Sequence, residues 1–173
     1  MSLNIRFSVT IPGCDRIHHV GEPDVRVVLS RIPVEVWSRL RGVHFNDRSR
    51  GAKVLGYTNR GRREIALCAQ PPRMSLTQAL SGQAPEMFGA SRGSQWPTLA
   101  IRRFMLYNVF LHELGHLQII DDDAKMERRK FAMETKAEEF AIGWCKRLWS
   151  EPFDHPDPVH NPPGPVELAA TMP

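Results

Sequence analysis

The chain has 173 residues, a formal net charge of +4 and three cysteines. A chain of this length buries roughly 70% of its unfolded surface on folding, so one domain with its own apolar core is expected. The odd cysteine count, Cys14, Cys68 and Cys145 with no C-x-x-C spacing, argues against a disulfide framework and for a reducing, cytoplasmic setting.

Residues Leu3 to Ile11 alternate apolar and polar side chains and read as a strand. They lack the apolar core and small-residue cleavage site of a secretory signal. Val25 to Ile32 reads as a second strand from its β-branched content, after a connection punctuated by Pro and Gly. Pro33 suits the first position of a short helix that Gly42 ends. Val54 to Thr58 and Arg63 to Ala69 flank Asn59-Arg60-Gly61-Arg62, a hairpin turn. Pro71 to Pro97 is rich in Pro, Gly, Ser and Ala, with a short helix signalled by Ser75-Leu-Thr-Gln78. Connections this long are irregular, or they cover a site. Pro97 then suits the start of the next helix.

That helix carries the strongly apolar stretch Ala100 to Ile120, and near its end stands His112-Glu113-Leu114-Gly115-His116. Arg102 and Arg103 open the stretch, so it is not a membrane span. On a helix, residues four apart lie about 6 Å apart along the axis, nearly one above the other. Two imidazoles at this spacing converge on one ion while Glu113 projects beside them, the pattern of a zinc site with its own base. Zn²⁺ lowers the pKa of a bound water toward about 7, and a carboxylate in reach takes its proton as it attacks a carbonyl. That chemistry is amide hydrolysis. The apolar neighbours make two histidines and a glutamate costly to bury without such a partner. Gly115 costs about 1 kcal/mol in a helix interior relative to Ala, which points to close packing there.

A catalytic zinc takes three protein ligands and leaves one position open. A metzincin would supply the third as a histidine six residues after His116, beyond a glycine; those places hold Asp122 and Ile119. Asp121, Asp122 and Asp123 read instead as a polar helix end and as caps for the next helix. That next pattern runs from about Ala124 to Trp149, with Phe131, Glu134, Ala137, Glu138, Ala141, Cys145 and Leu148 on one face. If it returns antiparallel, the middle of the histidine motif lies about 10 Å from the turn, and a matching residue sits about six to eight positions in. Glu127 and Glu134 bracket that depth, and geometry alone does not choose between them.

His112-Glu-Leu-Gly-His116 followed by Glu134-Thr-Lys-Ala137-Glu138-Glu139-Phe140-Ala141 resembles the gluzincin arrangement, H-E-x-x-H on one helix and E-x-x-A-(D/E) on the next. It is also similar to the short ImmA/IrrE-type bacterial metalloproteins, whose second helix carries E-x-x-A-x-x-F-A. The second helix here does not end in the apolar-Pro segment common in that type, and no helix-turn-helix accompanies it. The resemblance covers Thr98 to Leu148. It implies an α+β, zincin-like fold, a small mixed sheet packed on the buried motif helix, followed by an antiparallel glutamate-bearing helix. It implies Zn²⁺ held by His112, His116 and Glu134, Glu113 as general base, and Glu138 orienting a ligand histidine. It also implies a strand beside the motif helix that pairs with extended substrate, for which Glu64 to Ala69 is the candidate.

One domain over residues 1–151 is therefore expected, followed by a proline-rich tail, 152–173, that reads as extended, poorly packed chain. The tail holds His155 and His160; these, the His18-His19 pair and Tyr107 are candidates for stabilising an oxyanion. Basic residues cluster at Arg48, Arg50 and Lys53, at Arg60, Arg62 and Arg63, and at Lys125, Arg128, Arg129 and Lys130. No aromatics are interleaved to stack on bases, so solvated turns are the simpler reading of these clusters. Three functions remain in view: a zinc peptidase acting on a peptide or protein, a regulatory protein with a structural metal, and a protease of nucleic-acid-associated proteins. An intact Glu113 favours the first, because a structural zinc needs no base.

Overall fold

The computed structural model describes residues 4–47, 54–93, 95–119 and 127–171, with side chains in the last stretch from residue 130 onward. The aspartates 121–123, the basic residues Arg48, Arg50, Lys53 and Lys125, and the side chains of Glu127, Arg128 and Arg129 lie outside that description. The fold is mixed α/β. Four short strands, β1 (Arg6–Val9), β2 (Gly42–Asn46), β3 (Gly56–Asn59) and β4 (Glu64–Cys68), form one open sheet in the order β1-β2-β4-β3. The first three run parallel in the sheet and β3 is antiparallel to β4. Register aligns Val43 with Ile65 and Phe45 with Leu67. These four side chains are buried, and the period of two turns their neighbours His44, Asn46, Glu64 and Ala66 to the opposite face. The expected hairpin joins β3 to β4: Asn59 Oδ1 accepts the Arg62 N–H at 3.1 Å and Arg63 takes the left-handed conformation, φ 58°.

The second expected strand, Val25 to Ile32, is instead a helix, α1 (Glu22–Ser30). Its β-branched residues argue for a strand, but Val25, Val28 and Leu29 are the buried ones, and that spacing is helical. The start is also fixed locally. Asp24 Oδ2 accepts the Gly21 N–H at 2.9 Å and Pro23 occupies the first turn. Topology agrees, because parallel β1 and β2 need a crossover rather than a hairpin. After Pro33 a short helix, α2 (Val34–Trp37), precedes β2.

Against the apolar face of the sheet lies a helical run made of α3 (Thr98–Phe104), a π-helical stretch (Met105–Phe110) and α4 (Leu111–Gln118). All six residues of the π-helical stretch are buried. A long helix, α5 (Glu127–Ser150), packs on α4 and buries Met133, Ala137, Ala141, Cys145 and Leu148. Side-chain pairs run from His116 with Glu134 to Asn108 with Glu138, so α5 ascends as α4 descends and the two are antiparallel. Phe131, expected on the buried face, is 75% exposed. Ala137 lies against Gly115 and α4 ends at Gln118, so Phe131, six residues before Ala137, reaches past the end of α4.

The proline-rich C-terminal segment is not the loosely packed chain its composition suggests. Val159 and His160 are buried, and a final helix, α6 (Pro165–Thr171), follows. The cause is Arg103 of α3, whose side chain is 1% exposed. A buried guanidinium has five N–H donors to satisfy. It donates to the carbonyls of Pro158 and Asn161 at 3.0 Å, to that of Phe88 at 3.3 Å, and to both Glu167 carboxylate oxygens at 2.7 and 3.1 Å. Carbonyls of proline-rich chain, left free of any ladder, are available for this. The guanidinium in turn holds the Glu167 carboxyl below its usual range. The long connection before α3 forms only 3₁₀ turns, Thr77–Ala79 and Pro85–Phe88, and seats Phe88 and Trp96 against Phe104.

Two glycines make the close approach of α4 and α5 testable. A Cβ at Gly115 would stand 3.1 Å from Ala137 Cα and from the Phe140 ring, whereas one at Gly143 meets nothing within 4 Å. Gly143→Ala should stabilise the protein by up to about 1 kcal/mol through helix propensity. Gly115→Ala carries the same propensity gain yet should destabilise, by about 1–3 kcal/mol net of it, because backbone atoms cannot yield as a side-chain end can. Thermal unfolding should show opposite shifts, about 2–4 °C per kcal/mol for a chain of this size. A higher melting temperature for both variants would disprove the tight contact.

Candidate metal centre

One helical turn of α4 places the His112 and His116 rings side by side, with their Nε2 atoms 3.1 Å apart. Glu134 of α5 reaches over both: Oε2 lies 3.2 Å from His112 Nε2 and Oε1 lies 3.3 Å from His116 Nε2. The other nitrogen of His112, Nδ1, is 3.1 Å from Glu138 Oε2. A carboxylate there accepts a hydrogen bond from Nδ1–H, which keeps the proton on Nδ1 and leaves Nε2 with its lone pair pointing at the His116 ring. Asn108 Nδ2 donates to the other oxygen of Glu138 at 3.5 Å and holds it.

This arrangement has an unbalanced centre. Two imidazole nitrogens and a carboxylate converge to contact distance, all electron-rich, and neutral imidazoles have too few protons to bridge every pair. The separations are those a tetrahedral ion asks of its ligands, since bonds of about 2.0–2.1 Å put neighbouring donors about 3.3 Å apart. His112, His116 and Glu134 are the residues able to hold a metal, with one ligand atom from each within 4.8 Å of the others. Burial lowers the affinity of both imidazoles for protons. In His112 the hydrogen bond to Glu138 and the nearby carboxylates reverse this and raise its pKa, while His116 remains lowered.

Glu113 stands apart from the donor set. Its side chain is buried, and Oε2 accepts a hydrogen bond from Thr58 Oγ1 at 2.8 Å. Burial pushes its pKa up against the opposing effects of Thr58 and His112, and Glu134 adds to the rise. Thr58 is on β3, and β3 gets close to α4 because residue 56 is glycine: a Cβ there would lie 2.9 Å from Val109 Cγ1 and 3.4 Å from Glu113 Cγ. The sheet edge and the two helices enclose an open cleft of about 390 Å³ lined by Gly56, Tyr57, Thr58, Arg60, His112, Glu113, His116 and Glu134.

Several expectations need correction at this point. Glu64 to Ala69 is not a free edge, because β4 is paired on both sides; β3 is the terminal strand and the one beside α4. The apolar run of β4 reflects burial inside the sheet. Tyr107 is wholly buried, with its hydroxyl 3.0 Å from His160 Nδ1 and its pKa pushed up by burial, so it does not reach the cleft. His18 and His19 pair with the carbonyls of Thr10 and Pro71, and His155 and His160 pack on one another. Gly56, Tyr57, Thr58 and Arg60 are the cleft residues the sequence reading missed. A glycine inside a strand pattern signals close backbone approach, and Gly56 carried that signal. No family model matches the chain, and no curated protein or solved structure matches it either.

The geometry separates Glu134, which contacts both imidazoles, from Glu138, which contacts only the far side of one. Zinc affinities measured by competition with a chelator should therefore fall most for Glu134→Ala. Glu138→Ala should lose about 10–100-fold, as removal of a partner behind a ligand does. If Glu138→Ala proves the more damaging change, the assignment of donors is wrong by one turn.

Proposed function

We propose that the chain is a zinc-dependent peptidase of zincin-like fold and gluzincin type, with His112, His116 and Glu134 as ligands and Glu113 as general base. The observation that carries the reading is the isolation of Glu113. It lies between the two histidines in sequence and on the cleft wall in space, yet it is tied to Thr58 and not to the donor set. A metal bound for structure alone closes its coordination with a fourth ligand and has no use for such a carboxylate.

When bound, the ion would supply Lewis-acid polarisation of the scissile carbonyl and lower the pKa of water toward about 7. Glu113 takes a proton from the attacking water and delivers it to the nitrogen of the departing amine, so the carboxylate returns to its starting state. The rise that burial causes makes the Glu113 carboxylate a stronger base toward that water. The Thr58 hydroxyl keeps the carboxylate in one orientation. Glu138 fixes the tautomer of His112 and so directs its Nε2 lone pair inward. β3, the terminal strand of the sheet among the described residues, gives an extended peptide main-chain partners along the cleft wall.

Among the described residues no helix is long and apolar enough to cross a membrane, and none of Cys14, Cys68 and Cys145 is in a disulfide. Burial pushes the Cys68 thiol to about 11 and the Cys145 thiol to about 12, so neither is a nucleophile at neutral pH. A cytoplasmic peptidase is in keeping with both.

Glu113→Gln tests the role directly, because the amide keeps the shape and still accepts the Thr58 hydrogen bond but cannot take the proton. Wild type and variant should both hold about one zinc per chain by elemental analysis. The variant's kcat on peptide substrates should drop at least about a hundredfold. Hydrolysis at the wild-type rate with zinc in place would rule Glu113 out as the base.

A further inference from the structure

Among the described residues, one cation of the cleft has no carboxylate partner. Arg60 follows β3 directly and, with Glu134, lines the cleft. Its two terminal nitrogens rest 3.9 and 4.0 Å from Met133 Sδ, a neutral and weak acceptor, one residue before Glu134 on α5. Arg6, Arg16, Arg26, Arg102, Arg103 and Arg147 each have a carboxylate within 4.0 Å. Arg60 has none among the described residues, although it is close enough for its charge to disfavour protonation of His116. The two acidic groups in the cleft are engaged elsewhere, Glu134 with the imidazoles and Glu113 with Thr58.

Resting on the peptidase reading, we infer that Arg60 is a specificity residue that selects substrates bearing a carboxylate next to the scissile bond. A guanidinium presents a planar pair of donors that matches a carboxylate, and anchoring on Met133 reduces the freedom lost on binding. Its place at the end of the β3 edge sets it beside a peptide lying along that edge. The arginine-rich turn does not form a polyanion surface. Arg60 faces the cleft and Arg62 lines the hollow on the other face of the sheet, so a single carboxylate, rather than a phosphate backbone, fits what Arg60 offers. The carboxylate is either an Asp or Glu side chain or the C-terminus of the peptide.

Calorimetry on the zinc-loaded, full-length Glu113→Gln protein separates these sources without turnover. Three short acetylated alanine peptides are compared: one with a central Glu and an amidated end, one with a central Gln and an amidated end, and one with a central Gln and a free C-terminal carboxylate. One of the carboxylate-bearing peptides should bind on the order of tenfold more tightly than the neutral one, and the identity of that peptide names the source. Adding Arg60→Gln should bring its affinity down to that of the neutral peptide, with zinc content and melting temperature unchanged. Equal affinity for all three, no binding of any, or a preference that survives Arg60→Gln overturns the inference. Selective binding by a wild-type protein that cleaves nothing would remove the peptidase reading and leave Arg60 as a carboxylate site. Cleavage with no charge preference would do the reverse.

Discussion

With no side chain at residue 115 and only a methyl group at Ala137, α4 and α5 approach until a Cβ on residue 115 would touch the Ala137 Cα at 3.1 Å. The candidate site depends on this approach. Glu134 is three residues before Ala137 and Glu138 one after it, so the contact that seats Ala137 also swings one carboxylate over the two Nε2 atoms and sets the other behind His112. Moving the helices apart by the thickness of a methyl group would cost all of these distances together. Gly115, unfavourable for an isolated helix, is thus the residue that lets two helices share one site.

A second glycine serves the other wall. Gly56 lets β3 press on Val109 and Glu113, and the same strand then offers Thr58 to the Glu113 carboxylate. The motif helix is fixed from behind as well. Arg103 draws the C-terminal segment onto α3 through the carbonyls of Pro158 and Asn161 and the Glu167 carboxylate, and Arg102 pairs with Asp24 and Asp157. A helix held on several sides keeps its histidines and its glutamate in register, which is what a catalytic constellation requires of its scaffold.

The parts of this arrangement legible in the sequence were those carried by short-range pattern. Histidines four apart, a glutamate between them and a following amphipathic helix placed His112, His116, Glu113 and the face bearing Glu134 and Glu138. The Asn59 to Arg62 turn and the helix starts at Pro33 and Pro97 follow from local backbone chemistry. What sequence left hidden depends on distant partners. Val25 to Ile32 reads as a strand because β-branched residues outweigh a short helical period until the Gly21 and Asp24 cap is seen. Tyr107 is polar at its tip and next to the motif, yet its partner is His160, 53 residues away. A buried arginine can order proline-rich chain, but nothing in residues 152–173 says that Arg103 is there to do so. Strand order chose β3 over β4 as the edge, and order in a sheet is set by pairing that spacing does not encode.

The central claim is that three side chains from two closely packed helices form one metal site with a position left open for chemistry. A crystal structure of the zinc-loaded protein, with the ion located by its anomalous scattering, tests it most directly. The account predicts one ion bonded to His112 Nε2, His116 Nε2 and a Glu134 oxygen, with Glu113 outside the coordination sphere and the fourth position facing the cleft. An ion held by four protein side chains, with Glu113 among them, or an ion bound away from the α4 histidines, would contradict it.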